Sequence, residues 1–188
     1  MENQQLRKLE TITLGGGCFW CTEAAFEQLA GVSQVLPGYM GGADPAPTYE
    51  RVCSGTTGHA EVVQVHYDPA VIDYPTLLMV FFTIHDPTTL NRQGHDVGSQ
   101  YRSAIFYHDE AQRQAAETMI AELNAGGYWP QPIVTELVPA SQFHVAEEYH
   151  HQYFRNNPYQ GYCMAVVAPK ALKVKAAFAS LLKSENEG

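Results

Sequence analysis

The chain has 188 residues, 45% of them hydrophobic, enough to enclose a core within one domain. Its formal net charge is −9 and its 11 lysines and arginines are scattered, so no basic stripe is available to hold nucleic acid. The longest apolar runs, such as Leu77 to Phe82, are too short to span a bilayer, and Met1 to Glu10 is polar and lacks the apolar core of a signal peptide. These features imply a cytoplasmic protein, in which four cysteines are free, metal-bound or redox-active rather than paired in structural disulfides.

Thr11 to Leu14 alternates polar and apolar residues as a short strand does. Gly15-Gly16-Gly17 then removes every side chain from a turn. Thr22 to Leu29 spaces Ala25, Phe26 and Leu29 as a helix, with Gly31 placed to end it. Cys18 therefore falls at or just before a helix N-terminus, where backbone N–H groups favour the thiolate, and Phe19 and Trp20 set two rings beside it. The bland alternative is a buried small hydrophobe in a glycine turn. Val32 to Leu36 and His59 to Tyr67 read as strands, separated by a loop rich in glycine and proline, Pro37 to Pro47. Pro75 to about His85 reads as a helix, and Asp86 to Gln100 as a long polar loop of the kind that often carries function. Ser103 to Tyr107 is a predicted strand, Glu110 to Ala125 a helix stopped by Gly126-Gly127, Ile133 to Val138 a strand and Val145 to Arg155 a helix. Asn156 to Gly161 is a turn-rich loop, and Lys170 to Lys183 a final amphipathic helix before a frayed acidic tail. Strands and helices mix without strict alternation, which favours an α+β sandwich over a doubly wound sheet, in one domain spanning 1–188.

Glu61 is the most informative carboxylate. On a strand it shares a face with Val63, Val65 and Tyr67, while Ala60, Gln64 and His66 take the other. Pointing inward, its carboxyl would be desolvated, its pKa raised, and it could act as an acid near neutral pH; at a strand edge it would simply reach solvent. Asp96 and Tyr101 could supply an acceptor and a donor in a cleft, although a solvated turn explains the same residues. His150 and Tyr153, three apart on the predicted helix, share a face with Glu147. Cys21 completes Cys-x-x-Cys with Cys18, a spacing that suits redox exchange or half a zinc site. Cys53 and Cys163 are single cysteines without nearby histidine in a ligand pattern. Cys53 is read as structural. Cys163 follows a loop that can bend; a disulfide needs Cα atoms within about 7 Å, and such a loop would let its thiol reach Cys18 and retreat.

Taken together, Gly17-Cys18-Phe19-Trp20-Cys21-Thr22-Glu23, Gly38-Tyr39-Met40-Gly41-Gly42, Pro47-Thr48-Tyr49, Thr57-Gly58-His59-Ala60-Glu61, His85-Asp86-Pro87-Thr88, Gly98-Ser99-Gln100-Tyr101-Arg102-Ser103, Ala146-Glu147-Glu148-Tyr149-His150 and Asn157-Pro158-Tyr159-Gln160-Gly161-Tyr162-Cys163 resemble the A-type peptide-methionine sulfoxide reductases, in the family's order, over roughly residues 10 to 168. The resemblance implies a two-layer α+β sandwich with a mixed sheet and a ferredoxin-like core, the nucleophile at the N-terminus of the first helix. It implies that Cys18 attacks the sulfur of a methionine S-sulfoxide, free or in a protein. Phe19 and Trp20 would hold the substrate methyl group, and Glu61, Tyr49 and Tyr101 would hydrogen-bond the sulfoxide oxygen. Asp96 would orient the substrate, with His150 and Tyr153 in supporting positions. Cys163 would condense with the Cys18 sulfenic acid to a disulfide that thioredoxin reduces, with Cys21 a further redox candidate. No metal, flavin or nicotinamide is implied, and the family suggests a monomer. Two other classes remain open from the residues: a thiol–disulfide oxidoreductase using Cys18 and Cys21 alone, and a non-enzymatic zinc or redox-sensing module.

Overall fold

The structure, a computed structural model, describes residues 8–186. Strand β1 (Glu10–Gly16) leads through Gly17 and Cys18 into helix α1 (Phe19–Phe26), which returns to β2 (Val32–Met40). A short helix α2 (Tyr49–Cys53) precedes β3 (Ala60–Tyr67) and helix α3 (Tyr74–Ile84). The polar loop holds a small hairpin, β4 (Arg92–Gln93) with β5 (Asp96–Val97), before β6 (Ser103–Tyr107), helix α4 (Glu110–Gly126), β7 (Glu136–Pro139), β8 (His144–Val145), helix α5 (Tyr153–Asn156) and helix α6 (Ala168–Ala177).

The main sheet has the order β7-β6-β1-β3-β2-β8. Its inner pairs β6·β1, β1·β3 and β3·β2 are antiparallel, and β6·β7 is parallel across the α4 crossover. The path β1-α1-β2-β3-α3-β6 in the strand order β6-β1-β3-β2 is the ferredoxin-like arrangement expected. Ile12, Leu14, Val63, Val65 and Ile105 on one face pack against Phe26 and Leu29 of the α1 region and Leu77, Leu78 and Phe81 of α3, all fully buried. The other face is covered at one end by a smaller cluster of Met40, Ala60, Val62, Ala104 and Phe106 beneath Phe143, so the face of β3 expected to be polar is buried at Ala60 and Val62.

Several elements depart from their expected bounds for identifiable reasons. Helix α1 begins at Phe19 and is buried almost all round, Trp20 excepted, so its first turn carries no amphipathic signal. Strand β2 runs on through Pro37 and Gly38. The two-residue β8 beside it makes few demands on Pro37, whose carbonyl accepts from the Ala146 N–H, and a Cβ on Gly38 would lie 2.3 Å from the Phe143 ring. The helix expected over Val145 to Arg155 is not formed. The segment is β8, one 3₁₀ turn at Glu148–His150, and the four-residue α5, interrupted at Gln152 with φ 53°. The helix expected over Lys170 to Lys183 ends at Ala177; beyond a 3₁₀ turn, Leu182 bridges to Leu29 and the Lys183 N–H reaches the Gln28 carbonyl. The last two residues of the expected tail lie outside the described residues.

Gly17 sets the position of everything after it. Its φ is +94°, and a Cβ there would stand 2.6 Å from the Gln93 side chain, which in turn is hydrogen-bonded at both ends to the backbone of Asp86. Gly17→Ala should therefore cost more than the roughly 1 kcal/mol of the left-handed conformation alone. Its denaturation midpoint should fall, and Gln93→Gly in the same protein, which removes both the Cγ at 2.6 Å and the Cβ at 2.8 Å, should recover the steric part but not the conformational part.

Candidate active site

Cys18 is the residue before α1, with its side chain making no cap bond to the helix. The first helical N–H, that of Phe19, instead donates to Oε1 of Glu61 at 3.3 Å. Glu61 is 1% exposed, on β3 opposite Tyr39 of β2. Its second oxygen, Oε2, is buried with no hydrogen-bond partner among the described residues. Burial raises its pKa to about 8, against the pull of the Phe19 N–H. The inward reading of Glu61 thus holds, and the carboxyl is neutral around pH 7.

The thiols depart from expectation. Cys18 and Cys21 share a hydrogen bond, so they titrate as a pair. The shared bond, burial and the Glu61 charge disfavour the Cys18 thiolate, although the Trp20 N–H supports it. The same shared bond, Lys170 and the Tyr162 hydroxyl favour the thiolate of Cys21. The helix N-terminus expected to hold a Cys18 thiolate gives its first N–H, that of Phe19, to Glu61 and leaves Cys18 the support of Trp20. Cys163 is not on a mobile loop: it is fully buried at the start of a π-helical turn, Cys163–Val167, with its N–H held by Gln160 Oε1 at 2.9 Å. It packs in one apolar cluster with Cys18, Cys21 and Ala24, and among the sulfurs it is the charge of Cys21 that it feels.

The aromatic residues converge around Trp20. Tyr153 stacks flat on it, with centroids 3.8 Å apart, Tyr162 meets it edge-on, and its Nε1 donates to His150 Nδ1 at 3.0 Å. His150 is wholly buried, its pKa lowered to about 4 by desolvation, and is therefore neutral with its proton on Nε2. Phe19 lies on Tyr39, Tyr49 and His150. Tyr49 and Tyr101 are half-buried, and burial and the Glu61 charge push both phenols up, keeping them protonated donors. Asp96 accepts from Tyr162 at 2.6 Å. Every residue singled out from the sequence is accordingly drawn to one end of the sheet around α1.

Three residues of this site were given no chemical role in the sequence reading. Cys53, read as structural, is exposed; its sulfur takes hydrogen bonds from Tyr49 and Tyr101. The signal was available, since Tyr49 and Cys53 stand four apart on α2, hence on one face. Tyr162 contacts Cys21 and Asp96. Glu147 accepts from the Tyr39 hydroxyl and the Tyr49 N–H, both at 3.0 Å, and these donors hold its carboxyl below its ordinary value although burial opposes them. A separate cavity of about 760 Å³ between α3, α4 and α6 contains none of the residues chosen for chemistry. Among the described residues no group of three or more His, Cys, Asp or Glu side chains could hold a metal ion, and no helix is long and apolar enough to cross a membrane.

The family model described as peptide methionine sulfoxide reductase matches residues 10–181. The chain belongs to this family. It is 56% identical over 176 residues to the peptide methionine sulfoxide reductase MsrA of Chromobacterium violaceum, covering 94% of this chain and all of that one. Reduced Mxr1 from Saccharomyces cerevisiae superposes with a TM-score of 0.76 at 38% identity, covering 85% of this chain and 91% of that one. Mxr1 has also been crystallised in complex with Trx2, and that chain matches with a TM-score of 0.54 at 27% identity over 81% of this chain and 90% of its own length. The protein is thus a peptide methionine sulfoxide reductase, an oxidoreductase.

For this reductase the raised pKa of Glu61 has a thermodynamic consequence. The folded state holds the Glu61 proton more tightly than the unfolded chain, so stability is lost as pH rises from about 4.5 to about 8. Glu61→Gln abolishes that loss while keeping an acceptor for the Phe19 N–H. The variant should gain on the native protein by up to a few kcal/mol between pH 5 and pH 8, read from denaturant midpoints at the two ends.

Proposed function

We propose that the chain reduces the S-sulfoxide of methionine, free or in proteins, by nucleophilic attack of the Cys18 sulfur. The observation that carries this reading is a buried, protonated carboxyl with one oxygen unpartnered among the described residues, hydrogen-bonded to the first amide after the cysteine. As sulfur is attacked, its oxygen gains negative charge and must take a proton. Glu61 supplies that proton, while the Tyr49 and Tyr101 hydroxyls turn from the Cys53 sulfur to the oxygen and stabilise its charge. Phe19 and Trp20 wall the methyl group. His150 and Tyr153 fix Trp20 in place, and Asp96, tied to Tyr162, orients the rest of the substrate.

The products are methionine and a Cys18 sulfenic acid. Attack of a second thiol on that sulfenic acid forms a disulfide and releases water. We assign Cys163 to the disulfide that thioredoxin finally reduces, by two thiol–disulfide exchanges. Cys21 hydrogen-bonds Cys18 and is electrostatically coupled to Cys163, which favours a relay through it, with the disulfide passing from Cys18–Cys21 to Cys21–Cys163. The crystallised complex of Mxr1 with Trx2 supports thioredoxin as the reductant.

Turnover of the two methionine sulfoxide stereoisomers with thioredoxin tests the reading: the S isomer should be consumed and the R isomer left, and equal rates on both would falsify it. Cys18→Ser should lose all activity. Glu61→Gln should form sulfenic acid about a hundredfold more slowly, in the range expected for loss of a general acid. Cys163→Ser should release a single equivalent of methionine per enzyme when thioredoxin is the sole reductant; continued turnover would transfer the resolving role to Cys21 alone.

A further inference from the structure

Glu23 has no part in the chemistry above, yet it is an acid almost completely buried, 2% exposed, on the same helix as the nucleophile. It stands three residues after Trp20 on α1, so the two side chains leave the helix on neighbouring lines. Its carboxylate faces the backbone N–H groups of Gln152 and Tyr153, which favour its charged form, while Oε2 is buried with no hydrogen-bond partner among the described residues. Gln152 is one of two non-glycine residues with positive φ among the described residues, at 53°, a conformation costing roughly 1 kcal/mol for an L-residue. Tyr153, the next residue, is the ring stacked on Trp20 at 3.8 Å. One buried carboxylate thus grips a strained turn whose far side is the wall of the substrate pocket.

We propose that Glu23 is a positioning residue: by holding the Gln152–Tyr153 amides it keeps Tyr153 flat on Trp20 and so shapes the apolar pocket for the substrate methyl group. The inference deepens the proposed reductase site and rests on it for the identity of the substrate, but not for the geometry. It acts through the backbone, so it bears on binding rather than on proton transfer. The ionised form is the stronger acceptor for two N–H groups. Burial lifts the Glu23 pKa to about 7, with Glu27 adding to the rise and Arg155 opposing it. The remaining charged and titratable groups around the polar cavity behind it are Glu148, His151 and Lys183. The grip is therefore firm at pH 8 and slackens as the carboxyl protonates below about 7.

Three measurements test this. Glu23→Gln should raise KM for the sulfoxide roughly threefold to tenfold, the range an aromatic stack is worth, with kcat little changed. Adding Gln152→Gly, which adopts positive φ without strain, should bring KM back towards the native value, a rescue that a general loss of stability would not give. In Trp129→Phe protein Trp20 is the remaining tryptophan, and its emission should titrate near pH 7 and stop doing so once Glu23→Gln is added. The fluorescence arm needs no catalysis, so it stands even if the reductase reading fails, and its first half, a Trp20 emission that ignores pH with Glu23 in place, overturns the proposal even where Glu23→Gln folds poorly. Unchanged KM in Glu23→Gln, kcat and KM worsening together without rescue by Gln152→Gly, or Trp20 emission that ignores pH around 7 would each overturn the proposal.

Discussion

A carboxyl group sealed inside the core is the constraint that the rest of the site answers to. An isolated carboxylate at the Glu61 position would forfeit its hydration for little return, so the protein keeps the proton on it and offers a single N–H, that of Phe19, at 3.3 Å. Strand period turns Glu61 inward; the pairing of β3 with β2 puts it beside Tyr39; the turn at Gly17 delivers the start of α1 to it. The positive end of α1 is therefore divided between a buried acid, which takes the Phe19 N–H, and the cysteine beside it, which the Trp20 N–H supports. The Cys18 thiolate is disfavoured at rest chiefly by the hydrogen bond it shares with Cys21 and by burial. A helix terminus has few free amides to offer, and here the first goes to oxygen.

The aromatic wall follows a second rule, that large rings need polar tips satisfied when they are buried. Trp20 meets it through His150, whose neutrality comes from its own burial, and the Tyr39 hydroxyl meets it through Glu147. Glu147 then also holds the amide of Tyr49, so one carboxylate ties β2 and α2 to the segment carrying His150. Trp20, Tyr39 and Tyr162 are each pinned by a hydrogen bond to a residue distant in sequence, over a backbone that is not regular.

What could be read from the sequence follows from where periodicity survives. Helices α3 and α4 keep an exposed side, and strands β1, β3 and β6, although buried on both faces over much of their length, are short apolar-rich runs bounded by turn residues, so all five are located to within a few residues. The first turn of α1 is buried almost all round and has no pattern to read. The segment from His144 to Asn156 misleads for the opposite reason. Glu147, His150 and Tyr153 recur at a helix-like interval because each contributes to the site, while the backbone beneath them is a 3₁₀ turn and a left-handed residue. Chemistry imposed the spacing and was mistaken for a helix. The residues that gather at this end of the sheet were named through motif resemblance, but Cys53 was not, since a cysteine on a five-residue helix looks structural until the helix is seen to point it at Tyr49 and Tyr101.

The burial of Cys163 looks at odds with a resolving role, and the local architecture answers the difficulty. Single π-helical turns are rare, and frequently stand at functional sites. The turn that carries Cys163 follows a largely exposed run from Asn156 to Gly161, but Cys163 and Val167 are themselves fully buried beside Cys18 and Cys21, so exchange within that cluster disturbs less packing than opening the turn. The segment is pinned by the Gln160 side chain on the Cys163 N–H and by Tyr162 on Asp96. In the proposed cycle Cys163 would exchange with Cys21, whose cluster it already shares and whose charge it feels, and the burial of both would keep the resting thiols away from adventitious oxidants.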